Sequence, residues 1–83
     1  MNLVELTETI IKKLVTDPDS VSVKEFATEE ENAIRIEVLV SSDNIGKIIG
    51  KNGKTINSIR TIVQAASSIE DNKKVHINVE SYN

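Results

Sequence analysis

The sequence predicts an α+β fold with the element order αββααβ. Apolar residues recur at helical spacing in three segments, and three other segments are β-branched runs, mostly with alternating polarity. The length of 83 residues is that of one small domain. With 39% hydrophobic and 28% charged residues, the composition is typical of a soluble globular protein rather than of a disordered tail or a membrane protein. We therefore expect residues 1–83 to form a single domain.

The first three elements are predicted to be a helix and a β-hairpin. Apolar residues follow helical spacing from Asn2 to Thr16, and the pattern ends before Pro18 because the residue that precedes a proline disfavours the α region. An alternating run then extends from Val21 to about Thr28, and a β-branched, mostly apolar run extends from Ala33 to Val40. The polar turn between these runs predicts that they pair as a hairpin.

The last three elements are predicted to be two helices and a strand. The stretch from Ser41 to Asn44 offers N-cap residues for a short helix over Ile45–Ile49, which a glycine loop then interrupts. A longer helix starts near Lys54, and its buried stripe is expected to contain Ile56, Ile59, Ile62, Val63, Ala66 and Ile69. The run from Lys73 to Glu80 alternates, with Val75, Ile77 and Val79 on one face.

Connection rules predict how the three strands pair. The two helices between the second and third strands form a crossover, so these strands are expected to be parallel neighbours, while the hairpin makes the first strand antiparallel to the second. The second strand is then central, which agrees with its nearly continuous apolar character. The expected architecture is a three-stranded mixed sheet with three helices packed on one face.

The distribution of charge singles out one segment. The whole chain carries a net charge of −3, from ten Lys and Arg against thirteen Asp and Glu. Between Asn44 and Ile69 there are four cations and no acidic residue, so this segment carries +4 and the remainder, by difference, −7. The four cations are Lys47, Lys51, Lys54 and Arg60, and all three glycines lie in the same segment. This pattern favours an anionic ligand at one place in an otherwise acidic chain.

The glycine loop between the two predicted helices is a candidate phosphate site. Gly50 and Gly53 allow a sharp turn and, because they lack Cβ, let a phosphodiester backbone approach the main chain. The free amides of the helix that starts near Lys54 favour an anion, and Lys51 adds positive charge beside them. Lys47 and Arg60 are expected near the same path.

The bases of a bound strand are expected in an aliphatic groove between the two helices and the last strand. Its candidate walls are Ile45, Ile48, Ile49 and Ile56. Because the chain has only one Phe and one Tyr, base stacking on aromatic side chains, as in RRM and OB domains, is largely excluded. A glycine loop beside an aliphatic groove therefore predicts binding of a single-stranded nucleic acid.

The motif Ile49-Gly50-Lys51-Asn52-Gly53, between a short and a long helix, resembles the IGxxG core of KH domains, which clamp about four nucleotides. The order αββααβ resembles the type II, or prokaryotic, KH fold. The chain is similar to small single-KH bacterial RNA-binding proteins of the KhpA (YlqC) family, most closely in residues 21–23, 43–53 and 58–66. The resemblance implies one KH domain that binds single-stranded RNA through Gly50, Lys51, Asn52, Gly53, Lys54, Lys47, Ile49 and Arg60.

The same resemblance implies a role as an RNA chaperone or post-transcriptional regulator. It also implies pairing, either with a second copy or with a KhpB-type protein that joins a KH domain to another RNA-binding domain. Two alternatives stay open: single-stranded DNA as the ligand, and a KH fold kept for dimerisation with weak or no RNA binding. Gly46 is a further open point, because a glycine within a helix costs about 1 kcal/mol relative to alanine and marks either a packing or a ligand-approach position.

Other function classes have less support. The chain has no Cys and its single His has no evident partner, so no enzyme is expected. Gly53-Lys54-Thr55 matches the end of a Walker loop, but Ile48 stands where its first glycine is required. The carboxylates of Glu29–Glu31 are more typical of a solvated turn than of a metal site, and no cofactor is expected. The N-terminal residues lack the basic and apolar regions of a signal peptide, which predicts the cytoplasm and no membrane association.

Overall fold

The computed structural model describes residues 2–82. The helices and strands are α1 (Leu3–Lys12), β1 (Ser22–Ala27), β2 (Ala33–Val40), α2 (Ser42–Ile49), α3 (Lys54–Glu70) and β3 (Lys74–Ser81). This order confirms the predicted αββααβ arrangement. Two short 3₁₀ turns, at Pro18–Ser20 and Lys51–Gly53, complete the connections.

The three strands form one mixed sheet in the order β1-β2-β3. β1 pairs antiparallel with β2, with Val23 opposite Val38, and β2 pairs in parallel with β3, with Ile36 opposite Ile77. The central strand buries every second side chain, as alternation on a half-covered sheet requires. All three helices contact strands of this sheet, so the predicted fold class, with its type II KH-like topology, is confirmed.

The core lies between the helices and one sheet face and is built from aliphatic side chains. Every helix and strand contributes at least one member: Leu3, Ile11, Val23, Ile34, Ile36, Val38, Val40, Ile48, Ile56, Ile59, Val63 and Ile77. The opposite sheet face carries Lys24, Phe26, Arg35, Glu37, Leu39, His76, Asn78 and Glu80. We call this second surface the open face.

The first helix is shorter than its apolar pattern predicts. It ends at Lys12 rather than at Thr16, because its last turn tightens through hydrogen bonds from the Lys13 N–H to the Ile10 carbonyl and from the Leu14 N–H to the Ile11 carbonyl. Leu14 is consequently exposed. Because the apolar residues continue through this 3₁₀ turn, their spacing does not indicate that the helix ends at Lys12.

The short helix begins earlier than predicted, at Ser42 instead of Ile45. Asn44, which the sequence offered as one of several N-caps, lies inside the helix and is buried. Its side-chain oxygen accepts hydrogen bonds from the N–H and the hydroxyl of Thr16, both at 3.2 Å, and its amide group donates to Ser41 Oγ at 2.9 Å. Asn44 therefore joins the segment after α1 to the start of α2.

The buried stripe of α3 differs from the predicted one at two positions. The helix buries Ile56, Ile59, Val63 and Ser67, whereas Ile62 is 51% exposed and Ile69 is 83% exposed. Adjacent residues of a helix differ by about 100° around its axis, so Ile62 points well away from the direction of Val63. The prediction that Ile62 and Ile69 are buried is wrong within this chain.

Candidate nucleic-acid interface

The loop between α2 and α3 has a backbone that depends on glycine. Gly50 adopts φ 75° and ψ 176°, and Gly53 adopts φ 76° and ψ 12°. Asn52 between them also has a positive φ, of 57°, a conformation that asparagine tolerates better than most residues. The Gly50 N–H donates to the Gly46 carbonyl at 2.9 Å, and the Gly53 N–H donates to the Gly50 carbonyl at 3.2 Å. These bonds close the sharp turn that the sequence predicted.

The two loop glycines are required for different reasons. A Cβ on Gly50 would lie 2.7 Å from Thr55 Cβ and 2.9 Å from the Thr55 backbone nitrogen, so no other residue fits without displacing the start of α3. A Cβ on Gly53 would meet only Asn57 Nδ2, at 3.7 Å, which is ordinary contact. Gly50 thus allows close packing of loop against helix, while Gly53 supplies a left-handed backbone.

Three lysines surround this loop on exposed positions: Lys47 on α2, Lys51 in the turn and Lys54 at the start of α3. None of them forms a salt bridge with another residue of the range 2–82. Among the described residues, no side chain caps the first amides of α3. Positive charge and the positive end of a 17-residue helix therefore lie at the same place, open to an anion.

Arg60 has a different environment from the lysines. Its Nε and Nη2 donate to the Ile77 carbonyl at 3.2 and 3.0 Å, and its Nη1 donates to Asn57 Oδ1 at 3.0 Å. The guanidinium thus links α3 to the outer edge of β3. It keeps further N–H groups for another acceptor, so its predicted contact with a ligand stays a prediction.

Gln64 and Ser67 continue this link and were not recognised from the sequence. Gln64 accepts from the Val75 N–H at 2.9 Å and donates to the Lys73 carbonyl at 3.0 Å, and Ser67 donates to the same carbonyl at 2.6 Å. Together with Arg60, these side chains bond to backbone groups on the outer edge of β3, which no other strand of residues 2–82 pairs with. Polar residues spaced three and four apart on one helix line were the signal that could have indicated them.

The structure separates the four isoleucines expected to form a groove. Ile48 is fully buried and Ile56 is 5% exposed, so both belong to the core and the prediction that they line an open groove is wrong. Ile45 is half-buried and Ile49, next to Gly50, is 38% exposed. A shallow groove between α3 and β3, lined by Arg60, Thr61, Gln64, Ala65 and Val75, extends away from the loop.

Residues 2–82 contain neither a metal-ligating cluster nor a membrane-spanning helix. In that range no three His, Cys, Asp or Glu side chains are placed to hold a metal ion. Of the Glu29–Glu31 carboxylates, that of Glu30 lies 3.1 Å from His76 Nε2, at the open face. None of the helices described there has the length and apolar character of a membrane span.

Comparison with known sequences identifies the family. The model of the family described as KhpA/KhpB, KH domain, matches residues 4–79. Proteins named RNA-binding protein KhpA are similar over most of their length. The protein from Clostridium perfringens is 45% identical over 75 residues, which are 90% of this chain and 96% of that protein. The protein from Chlamydia trachomatis is 43% identical over 70 residues, 84% of this chain and 86% of that protein.

Comparison with solved structures supports the same fold. A crystal structure of Aquifex aeolicus Era bound to GDP and AlF4⁻ superposes with a TM-score of 0.69 at 19% identity and covers 95% of this chain. A structure of Era in complex with MgGDPNP and a segment of 16S ribosomal RNA gives a TM-score of 0.67 at 20% identity. The chain spans 29% of the length of each Era chain, so this likeness concerns the fold alone.

The family match and the αββααβ fold confirm the resemblance found from the glycine loop. The family is one of RNA-binding proteins and not of enzymes, which confirms that no enzyme was to be expected. The chain belongs to the KhpA/KhpB KH-domain family.

Proposed function

We propose that this chain acts as one KH domain that binds single-stranded RNA through the loop Gly50–Gly53. The observation that carries the proposal is the packing of Gly50 against Thr55, which brings an open turn, three exposed lysines and the uncapped start of α3 together. The relatives named RNA-binding protein KhpA support RNA as the ligand.

In this proposal the sugar-phosphate backbone lies at the loop. Phosphate oxygens accept from backbone amides in the first turn of α3, which no side chain of residues 2–82 caps, while Lys51, Lys54 and Lys47 add charge-assisted contacts. Asn52 is exposed at the tip, where its side chain reaches the same backbone. A glycine surface permits the approach because no Cβ stands between the phosphate and the amides.

The bases then follow the shallow groove between α3 and β3. Ile49 offers an apolar contact at its start, and the N–H groups of Arg60 that are not bonded to Ile77 or Asn57 are available for a base or phosphate further along. Bases must be unpaired to enter such a groove, so single strands are preferred over duplexes. A few phosphate contacts give modest affinity, which suits an RNA chaperone or post-transcriptional regulator acting in the cytoplasm.

The test is binding of a short single-stranded RNA pool by the intact chain and by the double variant Lys51→Asp with Asn52→Asp. That variant keeps both glycines and places carboxylates where phosphates are expected. Its matched control is Asn72→Asp with Lys73→Asp, an Asn and Lys pair at the far end of α3, about 25 Å away. A duplex RNA and a single-stranded DNA of the same sequences are titrated in parallel.

We expect the loop variant to lose RNA retention while the control pair retains it, with both proteins folded by circular dichroism. Equal retention by the loop variant would contradict the clamp. It would favour the alternative in which the KH fold is an interaction module with weak or no RNA binding.

We also propose that two copies pair through the outer surface of α3, defined by Ile62 and Ile69. Ile62 and Ile69 are seven residues apart, so they share one line of the helix, and both are largely exposed. No charged residue lies between Thr61 and Ile69, so a two-fold axis through this surface brings no like charges together.

The pairing is tested by the mass of the protein in solution, measured by light scattering over a concentration series. We expect a dimer for the intact chain and a monomer for Ile62→Asp, whereas Thr9→Asp, an exposed change on α1, leaves the dimer intact. A monomeric intact chain would exclude the homodimer. A KhpB-type protein would then be the remaining candidate for a partner. Light scattering of a mixture of this chain with such a protein tests whether they form a complex.

A further inference from the structure

Three asparagines of the chain share the same unusual backbone. Asn32, Asn52 and Asn72 have φ values of 57°, 57° and 54°, in the left-handed region. All three are exposed, and their side-chain amides form no hydrogen bond within residues 2–82. They differ in the residue that follows, because only Asn52 precedes a glycine, and the sequence contains no other Asn-Gly or Asp-Gly pair. The chain thus has one Asn-Gly pair and two matched asparagines without a following glycine.

The pair Asn52-Gly53 suits a reaction of asparagine with its own backbone. In that reaction the nitrogen of the following residue attacks the side-chain carbonyl carbon and closes a succinimide ring. A side chain on the following residue crowds this ring, and glycine has none. Among residues 2–82, a Cβ at Gly53 would meet only Asn57 Nδ2, at 3.7 Å, so the structure also leaves room beside this peptide.

The charges around the pair also favour this reaction. Lys51 and Lys54, both exposed, flank the pair, and the positive end of α3 begins next to it. Positive charge stabilises the negative charge that develops on the attacking nitrogen and then on the attacked oxygen. Asn32 and Asn72 have the opposite setting, because each follows an acidic residue and precedes a residue that has a side chain. Charge and space therefore both single out Asn52.

We propose that Asn52 is a site of spontaneous deamidation, and that this modification weakens RNA binding by the loop. The hydrogen bond from the Gly53 N–H to the Gly50 carbonyl, of 3.2 Å, first breaks as the turn opens. The Gly53 nitrogen then loses its proton and bonds to Asn52 Cγ, and the side-chain nitrogen takes up a proton and leaves as ammonia. Water opens the ring at either carbonyl, its hydroxyl going to that carbon and its proton to the ring nitrogen, which leaves aspartate or isoaspartate.

The effect on RNA binding rests on the proposed function. Either product places a carboxylate among Lys47, Lys51 and Lys54, where phosphate oxygens are expected, and the carboxylate repels them. Isoaspartate also routes the main chain through the former side chain, which lengthens the turn between the two glycines. A strand held at the loop keeps the turn closed, so bound RNA slows the reaction. The free protein is therefore the form that loses its binding site with time.

The modification is tested on the intact chain, kept at neutral pH and physiological temperature and sampled over weeks. Masses of proteolytic peptides locate each deamidated asparagine, and enzymatic methylation detects isoaspartate. We expect conversion of Asn52 well before that of Asn32 or Asn72 in the same digest, and slower conversion of Asn52 in the presence of saturating single-stranded RNA. Conversion of Asn52 no faster than that of the other two would overturn the inference while the proposed function stands.

The consequence for binding is tested by the Kd for single-stranded RNA. Asn52→Asp reproduces one product, and Asn72→Asp adds the same charge on the same left-handed backbone at the far end of α3. We expect the Kd to rise about fivefold for Asn52→Asp and for deamidated protein separated by ion exchange, and to stay unchanged for Asn72→Asp. The longer side chain of Asn52→Gln closes the ring far less readily, so that variant should keep its own Kd throughout the incubation.

Two binding results separate the inference from the proposed function. An unchanged Kd for Asn52→Asp, while the double variant Lys51→Asp with Asn52→Asp loses RNA, would overturn the effect of deamidation and leave the proposed function standing. Absence of RNA binding by the fresh intact chain would overturn the proposed function together with this effect. The peptide masses decide in either case whether Asn52 is the modification site.

Discussion

At the scale of single residues, Gly50 and Gly53 illustrate two separate demands on one loop. Gly50 combines a backbone conformation that other residues rarely adopt with the closest approach to α3, at Thr55. Gly53 needs only a left-handed backbone, which asparagine and aspartate also adopt at low cost. The loop is therefore more sensitive to change at its first glycine than at its second.

We expect Gly50→Ala to lower the free energy of unfolding by about 2–3 kcal/mol, because backbone strain adds to the overlap with Thr55. Gly53→Ala should lower it by about 1 kcal/mol, from strain alone. Urea unfolding of both variants measures the difference. Equal losses would contradict the distinction between the two positions.

Asn44 is a buried polar residue whose side chain joins the segment after α1 to the start of α2. Its side chain is 2% exposed and makes three hydrogen bonds, to Thr16 and Ser41. Asn44→Ala should lower the free energy of unfolding by about 1–3 kcal/mol, because it removes three part-buried hydrogen bonds that join two segments of the chain.

The control for Asn44 is Asn78→Ala on the open face. Asn78 also makes hydrogen bonds, to Glu37 and Glu80, but it is exposed and water replaces them, so a change within about 0.5 kcal/mol is expected. Urea unfolding of the Asn44→Ala and Asn78→Ala variants measures the two losses of unfolding free energy. A loss for Asn78→Ala as large as for Asn44→Ala would argue against burial as the cause.

The sequence alone predicted some of these residues and missed others for a physical reason. The glycines and lysines of the loop are local, and their spacing within a few positions predicts a turn with positive charge. Asn44 and Arg60 act through partners 28 and 17 residues away, Thr16 and Ile77. Such partners depend on how the elements pack, which no local pattern contains.

At the scale of elements, the seam between α3 and β3 connects the loop to the edge of the sheet. In the described part of the chain, β3 has a neighbouring strand on one side only, and unpaired backbone groups on an edge favour pairing with another chain. Side chains of Arg60, Gln64 and Ser67 bond to backbone groups on that edge. The seam thus protects the edge and fixes the groove beside it.

We expect Gln64→Ala to open this seam locally. The Val75 N–H loses its acceptor, so its amide hydrogen should exchange at least tenfold faster, while the Lys74 amide, which donates to the Asn32 carbonyl, serves as the internal control. Hydrogen exchange followed by NMR measures both amides in one sample. Equal acceleration of Val75 and Lys74 would indicate global destabilisation instead of a local seam.

The boundaries of elements were predicted less well than their order. Apolar spacing gave every helix and strand, but it placed the end of α1 at Thr16 and counted Ile62 and Ile69 as buried. In the first case a 3₁₀ turn ends the helix while apolar residues continue. In the second case, α3 has more isoleucines than its one buried line can hold, so Ile62 and Ile69 lie on the exposed side of the helix.

At the scale of the whole molecule, the topology followed from connection rules and the aliphatic core from composition. The net charge of −3 hides the concentration of cations near the loop. The structure refines that charge, because the Arg60 guanidinium already bonds to Ile77 and Asn57. Of the four cations between Asn44 and Ile69, the three lysines are those whose side chains have no hydrogen bond or salt bridge within residues 2–82. The charge that matters for binding is therefore local.

We expect the salt dependence of RNA binding to reflect these three lysines. A slope of log Kobs against log salt of about −2 follows for a single strand, and about one unit less for Lys54→Met. Titrations at several salt concentrations measure the slope, with Lys24→Met on the open face as the control that leaves it unchanged. A slope near zero would mean that phosphate contacts contribute little.

The location of bound RNA distinguishes the glycine loop from the other surfaces of the protein. The open face is the competing surface, since it presents Phe26 beside Arg35, whose guanidinium carbon lies 5.4 Å from the ring centre. Titration of isotope-labelled protein with a short single-stranded RNA, followed by amide chemical shifts, reports on both surfaces at once. We predict the largest shift changes from Gly46 to Thr55 and along the groove at Val75. The largest changes around Phe26 and Arg35, with the loop unaffected, would show that RNA binds the open face and not the glycine loop.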